Sequence, residues 1–201
     1  MPKIKTIGIV GTGVIGTGWI IRNLAHNKIV HAYDQNKNLK NYVLKEISRT
    51  SKNIKKLFKK KLLLKNLKFF NSLEEALYHV DFVQENVLEN YKVKTDLIQK
   101  ISKYVRSDVI ISSSSSGLLP SKIFSKCKNP ERGIIGHPFN PLYLLPAVEI
   151  VPGRRTKKQS LIKANNYYKS ISMKPIMLKK ELPGYLSDRL QEALWREGLH
   201  I

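Results

Sequence analysis

The sequence predicts an α/β protein built on a doubly wound, mostly parallel sheet, and three observations predict it. Short apolar runs alternate with helical patterns over the first 150 residues. A glycine-rich loop, Gly11-Thr12-Gly13-Val14-Ile15-Gly16, separates a first apolar run, residues 4–10, from a helical pattern over 14–25. An acidic residue, Asp34, closes a second apolar run, residues 29–34.

The remaining elements follow in order. A long, basic helical insertion over 39–64 leads to a third strand over 67–70. Ser72 and Glu75 form a capping box that opens a short helix ending near Leu77. A strand at 81–84 precedes a helix over 91–104, in which Val93, Leu97, Ile98 and Ile101 share a face. Strands follow at 109–112 and 134–137, the first opening into a loop through the serine run Ser112 to Ser116. Two further strands, 147–151 and 175–178, flank a helix over 157–170. The last helix, 186–201, carries Leu190, Leu194 and Leu199 on one face with Trp195 beside them, an apolar stripe that needs a partner. The chain therefore divides into a nucleotide-binding unit, residues 1–182, and the first helix of a C-terminal helical domain, residues 183–201.

Each part of the glycine loop answers a demand of a dinucleotide, and the order strand, loop, helix, strand, acid is that of a Rossmann-like fold. Gly11 permits the tight turn, Gly13 lets the backbone approach a pyrophosphate, and Gly16 lets helix and sheet pack closely. Thr12, Val14 and Ile15 complete the loop, whose helix N-terminus offers free N–H groups to phosphates. Asp34 lies 18 residues after Gly16, where a carboxylate accepts hydrogen bonds from the adenine ribose and repels a 2′-phosphate. The expected cofactor is NAD rather than NADP. No metal site is expected.

Composition is that of an ordinary globular chain, 42% hydrophobic and 25% charged over 201 residues. A single cysteine, Cys127, excludes an internal disulfide, and no apolar run reaches membrane-spanning length, so a cytoplasmic protein is expected. The net charge of +21 raises nucleic-acid binding as an alternative. The densest stretch, Lys52, Lys55, Lys56, Lys59, Lys60, Lys61, Lys65 and Lys68, runs around a helix with only Phe58 interleaved. It lacks the aromatic platform of single-strand binders and reads as a solvated surface.

Candidate chemistry lies in residues 136–149. His137 follows a strand and precedes a Pro-rich loop, and Glu149 lies on the next strand. A carboxylate can fix a histidine's tautomer and steady its protonated form, so the two together would make an acid/base unit. Spacing alone leaves a capping histidine and an ordinary glutamate as the alternatives.

The run Gly136-His137-Pro138-Phe139-Asn140-Pro141 with Glu149, and the terminal stretch Gly184-Tyr185-Leu186-Ser187-Asp188-Arg189-Leu190-Gln191-Glu192-Ala193-Leu194-Trp195-Arg196-Glu197, resemble the 3-hydroxyacyl-CoA dehydrogenase family, and within it a carnitine-oxidising subgroup. The resemblance implies that His137 is the general base and Glu149 its orienting partner. It implies that Ser116 contacts the substrate hydroxyl, that Asn140 positions the reacting groups, and that Glu89 and Lys94 contact the nicotinamide side of NAD. Asp188 stands where many acyl-CoA members carry asparagine. The implied activity is oxidation of a small 3-hydroxy acid, L-carnitine or a relative, by an enzyme that is a homodimer at full length. A trimethylammonium group calls for an aromatic wall, with Phe139, Tyr143 and Trp195 as candidates. A 3-hydroxyacyl-CoA or sugar-acid substrate, and an NAD-binding chain without turnover, stay open at this level.

Overall fold

The computed structural model describes residues 4–59 and 61–201; Lys60 of the lysine-rich stretch lies outside the described residues. Eight strands are β1 (Thr6–Val10), β2 (Ile29–Tyr33), β3 (Leu67–Phe69), β4 (Phe82–Glu85), β5 (Ile110–Ser113), β6 (Gly133–Pro138), β7 (Ala147–Pro152) and β8 (Lys174–Met177). The helices are α1 (Val14–Ala25), α2 (Leu39–Phe58), α3 (Leu73–Leu77), α4 (Tyr91–Tyr104), α5 (Pro120–Ile123), α6 (Lys158–Ser170) and α7 (Ser187–His200). One sheet joins all eight strands in the order β3-β2-β1-β4-β5-β6-β7-β8. Every pairing is parallel except β6 with β7.

Alternate residues of the central strands feed two cores. Ile7, Ile9, Phe82, Ile110, Ile134, Val148 and Ile150 pack under α1, α2 and α6. Val10, Val83, Ile111, Ile135 and Val151 pack on the opposite face, under α3, α4 and α5. A sheet covered on both faces needs apolar residues at both parities, which is why its strands read as continuous apolar runs rather than alternating ones.

The long helix expected over 39–64 ends earlier. It stops at Phe58 because Lys59 adopts a left-handed conformation, φ 53°, and a separate 3-10 turn, Leu64–Asn66, leads into β3. Val43, Ile47, Thr50 and Ile54 form the buried stripe of α2, while Lys52, Lys55 and Lys56 are exposed on its other side. The short helix α5 carries no periodic signal and went unanticipated. Nor did apolar patterning reveal that β7 runs antiparallel.

The chain winds from β1 outward to β3 and then crosses back to place β4 on the other side of β1. The loops after β1 and β4 therefore diverge and leave a crevice at their carboxyl ends, the place where open α/β sheets bind ligands. β5 and β6 end on the same edge, and the antiparallel β7 begins there.

Candidate active site

The loop after β1 is shaped by its glycines. Gly11 has φ +85°, which side chains rarely adopt, and a Cβ on Gly16 would stand 1.9 Å from the Gly11 carbonyl oxygen. A Cβ on Gly13 meets nothing within 4 Å, so the surface beside this residue is open. α1 begins here with no side-chain cap and no acidic residue in its first turn, leaving its first N–H groups for an anion. The side chain of Asn86, just past β4, clamps the loop by donating to the carbonyls of Val10 and Gly11.

Asp34 directly follows β2, opposite this loop. Its Oδ2 accepts from the Thr12 amide at 2.6 Å and the Thr12 hydroxyl at 3.3 Å, and its Oδ1 from the Asn36 amide at 2.9 Å. A cavity of about 630 Å³ opens beside Asp34, walled by Gly11, Gly13, Tyr33, Leu73 and Leu97. Its shape and donors fit a dinucleotide: open glycine backbone at the phosphate end, an acid at the ribose end and apolar walls beyond.

A second cavity, about 300 Å³, adjoins the first through the shared residues Asn86 and Val87. Ile15, Glu89, Lys94, Ser114, Ser116, His137 and Pro138 complete its lining. The structure thus gathers His137, Ser116, Glu89 and Lys94 from four separate segments around one space next to the glycine loop.

Glu149 stands behind His137. The two residues face each other in register across β6 and β7, with Nδ1 of His137 2.8 Å from Oε2 of Glu149. The glutamate side chain is fully sealed, whereas the imidazole keeps 12% exposure on the cavity side. Burial pushes the Glu149 carboxyl up, but hydrogen bonds from His137, from the Ser187 hydroxyl and amide and from the Leu186 amide outweigh it. The net result is a carboxyl held below the usual carboxylate range. It is an acceptor at working pH and fixes the Nδ1–H tautomer of its partner, freeing Nε2.

Glu89 is held by Oε1, which accepts from the Ser115 hydroxyl and from the amides of Ser116 and Gly117. Lys94 is almost wholly buried. Its ammonium donates to Glu85 at 2.8 Å and to the Val87 carbonyl at 3.0 Å, with Glu89 at 3.5 Å. Asn140 is not among the cavity's lining residues; it is exposed, at the cis Asn140–Pro141 bond. Of the aromatic candidates, the Phe139 ring centroid lies 5.8 Å from that of His137. Tyr143 packs against the core and Trp195 projects from α7, 60% exposed. Asp188 is half-buried in the first turn of α7.

Several residues at the site were quoted in the sequence motifs or lay near them without being singled out. Tyr185 is buried, its ring 5.7 Å from His137 and its hydroxyl donating to the Leu118 carbonyl. Ser187 donates to Glu149. Ser114 accepts from Trp19 and Gln84 and donates to Asn86, tying α1, β4 and β5 together under the cavity. A polar residue within an apolar segment was the available signal for Gln84; for Tyr185 and Ser187 there was none apart from the motif itself. Among the described residues there is no cluster of three or more His, Cys, Asp or Glu able to hold a metal, and no helix long and apolar enough to cross a membrane.

Comparison with known proteins gives the family and the fold. The chain is 42% identical to L-carnitine dehydrogenase of Pseudomonas putida, covering 100% of this chain and 63% of that protein. It is also 42% identical to L-carnitine dehydrogenase of Oceanobacillus iheyensis, covering 98% and 65%. The chain thus spans somewhat under two thirds of the length of these relatives. Among solved structures, an NAD+-dependent dismutase, 5-formyl-3-hydroxy-2-methylpyridine 4-carboxylic acid 5-dehydrogenase, superposes with a TM-score of 0.91 at 27% identity, covering 98% of this chain and 65% of that one. The (S)-3-hydroxybutyryl-CoA dehydrogenase of Ralstonia eutropha gives 0.85 at 27% identity, covering 98% and 73%. Residues 6–182 match the family "3-hydroxyacyl-CoA dehydrogenase, NAD binding domain", and the chain belongs to that family.

Proposed function

We propose that this chain carries the cofactor half and the acid/base unit of an NAD-dependent oxidation of L-carnitine at its 3-hydroxyl. The observation that carries the reading is the His137–Glu149 pair, 2.8 Å apart and opening onto a cavity continuous with the glycine loop. The relatives named L-carnitine dehydrogenase supply the substrate class.

In this reading Nε2 of His137 removes the hydroxyl proton while the C–H electrons leave the same carbon, so that a ketone, 3-dehydrocarnitine, is formed. NAD, when bound, supplies the hydride acceptor. Glu149 steadies the imidazolium that results. Assistance by a positioned base is typically worth about 10²–10⁴ in rate. Ser116, in the cavity wall, orients the hydroxyl; Asn140, exposed and outside the lining, takes no part in this reading. Glu89 and Lys94 border the nicotinamide side, with Lys94 held in place by Glu85. Phe139 offers a π face to the trimethylammonium group. Residues 183–201 open a second, helical domain, and the full-length protein is a homodimer.

The test is NADH formation with L-carnitine against 3-hydroxybutyryl-CoA, in this chain and in His137→Ala. Turnover of L-carnitine that drops at least about 100-fold in the variant, with NAD affinity retained, supports the reading. Turnover of the acyl-CoA alone reassigns the substrate, and a fully active variant removes His137 as base.

A further inference from the structure

Glu149 accepts four hydrogen bonds, and three of them come from the start of α7. Oε1 accepts from the amides of Leu186 at 3.0 Å and Ser187 at 2.9 Å. Oε2 accepts from the Ser187 hydroxyl at 2.7 Å and from Nδ1 of His137 at 2.8 Å. A carboxylate has about four lone-pair sites, so this one is filled.

The two amides belong to the N-cap and the first residue of the helix, where N–H groups have no intrahelical acceptor and the helix end favours negative charge. Any residue but proline at position 187 would supply its amide. The hydroxyl is what serine adds, and it lands on the oxygen that holds the imidazole. The terminal torsion of a glutamate is intrinsically broad, with no staggered well to fix the carboxylate plane. A residue that grips both oxygens, one by amide and one by hydroxyl, sets that plane and the direction in which Oε2 meets Nδ1–H. The hydroxyl also draws off part of the negative charge on Oε2, which weakens the pull of the carboxylate on a protonated imidazole.

We infer that Ser187 is a positioning residue for the His137 base, linking the seat of α7 to the orientation and basicity of the imidazole. The inference rests on the reading of His137 as the base. None of the fourteen residues of α7 is buried, so these bonds are a principal tie between the helix and the sheet. A small displacement of its first turn would strip three of the four donors from Glu149, leaving His137 facing an under-satisfied, mobile carboxylate. The segment that α7 begins is thereby wired to the dyad without touching the imidazole. Glu89 and Lys94 across the cavity, and Tyr185 on the turn before α7, are the other titratable groups near His137, and a change at Ser187 removes none of their hydrogen bonds.

The experiment compares the chain with Ser187→Ala and Ser187→Thr. NMR follows the His137 pKa and its Nδ1 proton, and the pH dependence of L-carnitine oxidation is recorded at saturating NAD. Ser187→Ala is expected to displace the titration of His137 and, with it, the acid limb of kcat/KM. The same variant should broaden the Nδ1 proton signal and lower kcat about tenfold, with NAD affinity unchanged, while Ser187→Thr restores all four. An unchanged His137 pKa and Nδ1 signal in Ser187→Ala overturns the inference, even if activity falls. So does failure of threonine to restore them. An NMR response in a chain that does not oxidise L-carnitine supports the coupling and removes only the substrate reading.

Discussion

His137 and Glu149 are cross-strand partners: they face each other in register on β6 and β7, and Nδ1 lies 2.8 Å from Oε2. Directly opposed residues of an antiparallel pair project to the same face of the sheet, so the contact is set by backbone pairing rather than by loop conformation. Glu149→Gln keeps the size but replaces an obligate acceptor with a group that can also donate, and so permits the opposite tautomer of His137. The expected result is a fall in kcat of about 10²-fold or more with NAD affinity unchanged, read by steady-state kinetics beside a cofactor titration. Full activity in this variant would show that the imidazole is held by something else.

The same carboxyl makes stability depend on pH. Its folded-state pKa lies below its ordinary value of 4.5, despite the opposing effect of burial, because His137, Ser187 and Leu186 all donate to it. A group depressed in the folded state contributes stability that is fully present above its unfolded value and is lost as pH falls through the folded one. The contribution of this carboxyl to the difference in unfolding free energy between the parent chain and Glu149→Gln should therefore shrink as pH drops below about 4.5. Urea titrations at several pH values check it. A difference that goes on widening below about pH 4 would reverse the assignment.

Much of this arrangement is legible in the sequence, and the reasons are local. The glycine loop, its strand and Asp34 stand within one continuous βαβ stretch, so their spacing alone places them together. His137 and Glu149 were expected as a pair only through the family resemblance; spacing left the pairing open, because nothing in apolar patterning distinguishes an antiparallel return from another parallel crossover, and both strands are buried on both faces. Lys94 and Glu85 were hidden for a different reason. Lys94 occupies a helix position that reads as polar, and only the fold reveals that its ammonium is turned inward onto a glutamate at the end of a buried strand. The early end of α2 was equally silent, because Lys59 carries no sign of its left-handed backbone.

Asp34 should decide between NAD and NADP. Its carboxylate already receives the Thr12 and Asn36 amides, which aim it across the mouth of the larger cavity. Replacement by serine removes the charge and leaves the Thr12 amide without its acceptor. A hydrogen bond to a charged group is worth about 1.5–3 kcal/mol, so NAD affinity should fall roughly 10- to 100-fold. NADP affinity should rise, since the repulsion of its 2′-phosphate is gone. Isothermal titration with both cofactors measures the ratio, and a variant that binds NAD as tightly as the parent would remove Asp34 from the ribose site.

Lys94 and Glu85 form an ion pair whose side chains are 1% and 0% exposed. Glu85 also accepts from the Ser113 hydroxyl and the Val87 amide, while Lys94 reaches the Val87 carbonyl, so the pair closes the turn that leads from β4 to Glu89. Lys94→Met fills most of the volume but strands the carboxylate in a dry interior. Breaking a buried pair from one side costs about 3–5 kcal/mol. For a chain of this size each kcal/mol moves Tm by roughly 2–4 °C, which gives a drop of about 6–20 °C. Since Val87 lines both cavities and Glu89 borders the smaller one, NAD affinity should weaken along with stability. Lys94→Arg cannot rescue it, because a planar, larger guanidinium does not fit a site built for one compact ammonium. Calorimetry of the two variants with and without NAD separates the outcomes. A Lys94→Met chain that melts with the parent would mean that the pair adds nothing beyond what hydrogen bonds to Glu85 already provide.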